Sequence, residues 1–517
     1  MYLSEYNSFS RFFTHSLGTF LSLLLLAACS PEDDALPGGD GDNTAPAALR
    51  IEVSASDFTT AATRATDNGA VTTFESGDRI GIIVLDGSGN VLSDNIPYIY
   101  NGSAWSFDNA NGEGKTALYY DNKATAYVAY FPYSKEADGI TGADILATLK
   151  AKFLPLYDQR TKEAYRASDL LVWSNTGSVP LKKLNIEFTH AYSSLSLSPS
   201  VTCKIDGAET SYIPSSVDDV SFTIGTEPLL AYHADDGSYR IIVSPQQTSA
   251  RWFCSYKAET YGGTMPSTAL AANNRYTLAP VLKDIGAYTF ANAQVGDFYC
   301  KNASNEGYLI PGDAISFPAN MNCIGIVFKA GREASDNGAY TDIDDREMSA
   351  INGYVVALQD VSSSTLKWAD KDKQYNFWVG TSNSDSDWQG YDNCQKMKNG
   401  GDWSIGHFPA ANACQNFGSA EPYLRYAAPA GSSGWFLPSC GQLLSLYKNR
   451  DVLSGQINKL KAINGYGSIG WFRGDYYWSS SEYPHRSSDA RGVTFSGGYV
   501  DNDCKCYVGY VRGVFAF

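Results

Sequence analysis

The run Leu184-Asn185-Ile186-Glu187-Phe188-Thr189-His190-Ala191 alternates apolar and polar side chains from end to end. A period of two places one set of side chains in a core and the other in water, which a strand can do and a helix cannot. The same texture recurs in Leu49–Val53, Arg79–Leu85, Tyr127–Tyr133, Tyr239–Pro245 and Arg275–Leu278, with turn residues such as Asp86-Gly87 closing the runs. Short alternating runs with closely spaced turns predict antiparallel sandwiches, one over residues 50–165 and a second over 166–285. In that setting His190, beside Phe188 on an alternating strand, reads as a core or interdomain histidine, not as a catalyst.

From about Ile285 the texture changes. Trp becomes frequent (Trp368, Trp378, Trp388, Trp403, Trp435, Trp471, Trp478) and helical stretches appear at Ala410–Phe417, at Cys440–Tyr447 behind Leu437-Pro438-Ser439, and around Ile457–Ile463. The Pro-Ser pair supplies a helix start, and the apolar residues after it share one face. Strands follow at Tyr476–Glu482, Arg491–Phe495 and in the closing run Tyr507–Phe517, so 290–517 is expected to be an α+β domain. A chain of 517 residues has room for about three domains.

The start of the chain has a different purpose. Arg11 precedes an apolar stretch, Leu17–Ala28, of the length of a signal h-region and too short to span a bilayer comfortably. Leu26-Ala27-Ala28-Cys29 places small residues before a cysteine, as a lipoprotein signal peptidase requires. Residues 1–28 are therefore expected to be removed and Cys29 to carry the lipid. Residues 29–49 are acidic, rich in Pro and Gly, and read as a flexible linker.

Charge and cysteines narrow the rest. A formal charge of -16 argues against nucleic acid, because no basic stripe can displace phosphate counterions. Ten cysteines include Cys29, so an odd number remains and at least one thiol stays free or pairs between molecules. Cys504 and Cys506 stand too close for an ordinary bridge between strand neighbours and read as structural. No zinc spacing, nucleophile elbow, metalloprotease helix motif, phosphate loop or dinucleotide fingerprint occurs; neither an enzyme nor a cofactor is expected. Asp342-Ile343-Asp344-Asp345 lacks calcium-loop spacing and reads as solvated.

Two resemblances organise these readings. Thr63-Arg64-Ala65-Thr66, Phe74–Gly81, Ala129-Tyr130-Phe131-Pro132-Tyr133, Asp169-Leu170-Leu171 and Phe188-Thr189-His190-Ala191 follow one another as in Bacteroidetes fimbrillins. The chain thus resembles the lipoprotein-derived pilins and their accessory subunits over residues 50–285. The resemblance implies two tandem transthyretin-like β-sandwich domains in a mostly β chain. It also implies proteolytic processing after an early Arg, here Arg64 with Arg50 as a weaker candidate, followed by strand exchange with other fimbrial subunits. The acidic Ser30-Pro31-Glu32-Asp33-Asp34 resembles the export signal of surface lipoproteins in the same bacteria and implies an outer-membrane location at the cell surface or in the fimbrium.

Gly434–Ser439, Tyr477-Trp478-Ser479-Ser480-Ser481-Glu482, a Gly-turn hairpin and Val511-Arg512-Gly513-Val514 resemble a C-type-lectin-like domain over 290–517. The Glu-Pro-Asn and Trp-Asn-Asp groups that hold a sugar through calcium are missing, so no metal site is expected. Sugar binding without metal needs aromatic faces beside amides or carboxylates. Trp388, Tyr391, Asp402 and Trp403 offer that combination. The expected function is a non-enzymatic fimbrial tip subunit and adhesin with a glycan or protein receptor; the alternative is a stand-alone surface lipoprotein that binds glycans. The tip position is expected because Phe515 and Phe517 alternate as core residues, which leaves no free C-terminal arm to donate.

Overall fold

The computed structural model describes residues 48–60, 72–176, 183–205, 207–245, 250–265, 269–317, 321–370, 376–400, 404–463 and 465–517. The first sheet has seven strands in the order Arg50–Ala55, Lys183–His190, Leu171–Thr176, Ala124–Phe131, Arg79–Asp86, Val91–Tyr100 and Trp105–Phe107. Alternation sorts its side chains between two cores. Ile51, Ile82, Ala129, Ile186 and Phe188 point to one, while Ile83, Val128 and Tyr130 point to the other. The second core is covered by the helix Ile145–Lys152, started by Asp144, whose carboxylate accepts from the Ala147 N–H at 2.9 Å. A second helix, Lys162–Ser168, starts at Thr161 in the same way. Neither helix was expected from the alternating texture.

The expected boundary between residues 165 and 166 is displaced. Leu171–Thr176 and Lys183–His190 complete the first sheet, because alternation assigns a strand to a face but not to a partner. The second sandwich begins at Ser193. Its five-stranded sheet runs Tyr232–His233, Tyr239–Val243, Ser193–Leu197, Asn274–Leu278 and Thr59–Thr60. A four-stranded sheet (Glu227–Leu230, Asp218–Ile224, Arg251–Tyr256, Glu259–Thr264) and a three-stranded one (Ala208–Tyr212, Ser200–Ile205, Val281–Ala287) complete it.

The remaining residues form a head. Its five-stranded sheet runs Gly307–Ile310, Phe298–Lys301, Asn322–Ala330, Gly353–Ala357 and Val514–Ala516. A three-stranded sheet holds Tyr476–Glu482, Asp489–Thr494 and Tyr499–Cys504, and Leu366–Lys367 pairs with Val508–Gly509. The α-helices of the head among the described residues are Gly390–Asn399, Pro409–Gln415, Cys440–Lys448 and Arg450–Lys461. Ser439 and Gln442 form a reciprocal cap at the start of Cys440–Lys448, as the Pro-Ser signal predicted. One continuous apolar core runs from Leu195 in the second sandwich to Phe517 in the head.

Four cysteines form two bridges among the described residues, Cys300–Cys323 between paired strands and Cys504–Cys506. The second corrects the expectation for that pair. Cys506 lies past the end of the strand Tyr499–Cys504, and the turn sets the two Cα atoms 5.1 Å apart, within bridging range. Cys203, Cys254, Cys394, Cys414 and Cys440 are free and buried.

Candidate functional site

Residues 48–60 visit both sandwiches. Arg50–Ala55 is the edge strand of the first sheet and runs parallel to Lys183–His190, with Ile51 opposite Leu184 and Ala55 opposite Phe188. Ile51 is 4% exposed, and the Leu49 N–H donates to the Leu118 carbonyl at 2.8 Å. Beyond Ser56-Asp57, Thr59–Thr60 is the edge of a different sheet, again parallel, beside Asn274 and Arg275. The Thr59 N–H donates to the Asn273 carbonyl at 2.8 Å.

His190 holds the crossing point. Its Nδ1 lies 2.7 Å from Asp169 Oδ1 and its Nε2 lies 3.1 Å from the Ser56 carbonyl. Phe58 stacks on the imidazole with centroids 3.5 Å apart, and the Arg275 guanidinium carbon is 5.4 Å from the Phe58 ring centre. The Ser56 N–H and hydroxyl donate to the Phe188 carbonyl at 2.9 and 3.2 Å. Sequence reasoning placed His190 at a core or seam but missed Phe58, which belongs to no alternating run. Chemically, this is a seam at which one segment pairs as the edge strand of two sheets in turn.

The head carries a second candidate site. Helix Gly390–Asn399 crosses the start of Cys440–Lys448 so closely that a Cβ on Gly390 would lie 2.2 Å from Gln442 Oε1 and 2.9 Å from the Ser439 nitrogen. That packing aims Gln395 and Lys398 at a cavity of about 270 Å³, with Tyr391 and Trp435 in its wall and Asp342 and Asp345 at its rim. The Tyr391 hydroxyl lies 2.9 Å from Thr341 Oγ1, and its ring stacks on Tyr340 at 4.4 Å. Asp342 is not simply solvated as expected. Its carboxylate accepts from the Asp344 and Arg346 N–H groups and from the Arg346 guanidinium at 2.9–3.0 Å. The Arg346 backbone bond foremost holds that carboxyl below the usual range.

Of the described residues expected to bind a ligand, Tyr391 lines this cavity and Trp388 does not. Trp388 is 9% exposed and packs on Phe328 and Tyr354 in the core, so no free indole face is left for stacking. Asp402 and Trp403 lie outside the described residues, as do Cys29 and Arg64. The Glu of Trp-Ser-Ser-Ser-Glu has a structural task. Glu482 accepts from the N–H groups of Val379, Gly380 and Thr381 at 2.9–3.1 Å and pairs with buried Lys505 at 2.5 Å.

Residues 63–297 match the family model described as fimbrillin-like. Over this span the chain is similar to that family. Across the whole length it is also similar to a Bacteroides ovatus protein provisionally named fimbrium tip subunit Fim1C, 25% identical over 93% of this chain and 96% of that one. Among solved structures, a fimbrial protein from Bacteroides ovatus aligns over 92% of this chain and 100% of its own, at 20% identity and a TM-score of 0.39. The tip fimbrial protein Mfa3 from Porphyromonas gingivalis, in a C-terminally truncated form, aligns over 40% of this chain and 89% of its own, at 7% identity and a TM-score of 0.21. The fimbrillin-like match begins just beyond Thr60 and covers the rest of both sandwiches; the head lies almost wholly outside it.

Proposed function

We propose that this chain is a non-enzymatic fimbrial subunit that sits at a tip, with the two sandwiches serving assembly and the head serving adhesion. The observation that carries the reading is the placement of residues 48–60, which supply an edge strand to each sandwich. An edge strand can leave without breaking the ladders behind it. Its departure uncovers unpaired N–H and C=O groups along Lys183–His190 together with the apolar row that Ile51 covered, a surface that takes up an extended segment. Val514–Ala516 supports the receiving role. It pairs with Gly353–Ala357 on one side and exchanges bonds with Phe436 on the other at 2.8 and 3.0 Å, so this strand is not free to be given away. The provisional name of the Bacteroides ovatus relative points to the same position.

On this reading Cys29 carries the lipid of an outer-membrane precursor, and cleavage after Arg64 removes the lipid, the linker and residues 48–60 together. Brief exposure of the folded protein to a trypsin-like protease is expected to give one cut at Arg64, after which a peptide from a partner subunit binds in place of the released segment. Mass spectrometry of the digest checks the first step. A protein that stays intact or is degraded throughout counts against it and favours a stand-alone surface lipoprotein.

The head cavity is the proposed ligand site, since it sets amide, ammonium and aromatic groups around one space, as glycan and peptide ligands both require. The double variant Y391F/K398A is expected to lower adhesion at least several-fold without shifting the melting temperature by more than about 2 °C. Adhesion assays on cells or coated surfaces, alongside a glycan array, check this. Unchanged adhesion would move the ligand site elsewhere on the head.

A further inference from the structure

Resting on the strand-accepting reading, the segment 48–60 is a template for whatever replaces it. Its inward residues along the first sheet are Ile51, Val53 and Ala55, aliphatic and diminishing in size. At the seam its backbone meets His190 through the Ser56 carbonyl, and its apolar contact is a single aromatic ring. Phe58 lies between His190, the last residue of a first-sheet strand, and Arg275, on a second-sheet strand. The His190 wall is anchored independently of Phe58. Asp169 holds the imidazole at 2.7 Å, and the His190 backbone N–H donates to Asn273 Oδ1 at 3.2 Å, joining the strand end to a residue two positions before Arg275.

We propose that this groove selects its incoming strand by an aromatic residue at the seam. The partner segment runs parallel to Lys183–His190, places aliphatic or small side chains where Ile51, Val53 and Ala55 lie, and carries Phe, Tyr or Trp three residues beyond the last of these. The direction follows from the register, since the segment is parallel to its neighbour in both sheets. The aromatic follows from the socket. A flat imidazole on one side and a guanidinium on the other favour a π face, which an aliphatic side chain of equal volume does not supply. A strand lacking that ring satisfies the first sheet but leaves the seam open, so the socket lets the subunit recognise a partner that spans both sandwiches.

The test uses the full chain with a specific protease site placed between residues 61 and 71. After cleavage, fluorescent peptides are offered and binding is read by anisotropy: the 48–60 sequence itself, its F58A, F58L and F58W variants, and a scrambled control. The native and F58W peptides are expected to bind, with F58A and F58L roughly tenfold or more weaker, since stacking and cation–π attraction each contribute about a kcal/mol. If no peptide enters, including the native one, strand acceptance itself fails and the selection rule with it. If all but the scrambled peptide bind equally, strand acceptance stands and the aromatic rule is overturned. Because the variation is in the peptides, misfolding of the protein cannot mimic the second result, and a circular-dichroism spectrum unchanged by the cleavage excludes it for the first.

Discussion

Lys505→Met is expected to destabilise the head by roughly 3–5 kcal/mol, because it leaves a buried carboxylate without its countercharge. Glu482 and Lys505 are 1% and 0% exposed at the side chain and lie 2.5 Å apart. The ammonium also donates to the Phe377 and Ser487 carbonyls, each at 2.8 Å, and lies 4.7 Å from the Trp368 ring centre. Burial pushes the Lys505 pKa below its usual value, against the attraction of Glu482 foremost and of Asp489. A loss of this size is a large part of the stability of an ordinary domain. The double variant K505M/E482Q is expected to recover much of it, since both charges go together and the amide oxygen can still accept from the Gly380 and Thr381 N–H groups. Urea unfolding followed by Trp fluorescence measures both. A single variant as stable as the parent would mean that water reaches this pair.

The same pair shows what sequence can and cannot reveal. Glu482 stood out because it ends a recognisable block, but its partner lies between two cysteines where a lysine reads as solvated. Only the hairpin Asp489–Thr494 to Tyr499–Cys504 brings them together. The alternation in Leu184–His190 was read correctly as a buried face, with Leu184, Ile186, Phe188 and His190 all inward. The partner strand was not legible, since a period of two fixes a face and not a neighbour. Helix Gly390–Asn399 was not among the helices expected, because Gly390, Asn393 and Asn399 are poor helix formers. Tertiary packing overrides that weak preference, with Gly390, Tyr391, Asn393, Cys394 and Met397 buried. Trp388 illustrates the opposite error: a Trp beside amides suggested a sugar platform, and the core claimed it.

Asp313→Ala is expected to loosen the head from the second sandwich and to cost about 2–4 kcal/mol, because it strips the acceptor from two buried tyrosines. Asp313 accepts from the Tyr212 hydroxyl at 3.1 Å and from the Tyr256 hydroxyl at 2.5 Å, and Lys257 pairs with it at 3.0 Å. Its carbonyl also accepts from the Ser215 N–H, and Lys459 on the last helix reaches back to the Ser215 hydroxyl at 3.2 Å. D313N keeps an acceptor for only one of the tyrosines, which bond different carboxylate oxygens, and also gives up the partly exposed Lys257 pair, so it is expected to cost less than D313A, about 1–2 kcal/mol.

The pH dependence of this joint follows from the direction of the Asp313 shift. Burial pushes its pKa up, but the bonds from Tyr256 and Lys257 more than offset this and leave it below the usual value. The folded value is therefore the lower one. Its contribution is fully present above about pH 4 and is lost as pH falls through the folded pKa, so the joint holds at neutral pH and weakens only in acid. Because one core passes from Leu195 to Phe517, the sandwich and head of the parent are expected to melt in a single calorimetric transition. Limited proteolysis should then release no stable 290–517 fragment. D313A is expected to split that transition in two, with the head fragment appearing under protease. On the proposed reading the head must pass load to the fibre without swivelling, and a joint closed by apolar core and a satisfied carboxylate suits that role. Two transitions in the parent would show that the head is merely tethered, and adhesion under flow would then not depend on Asp313.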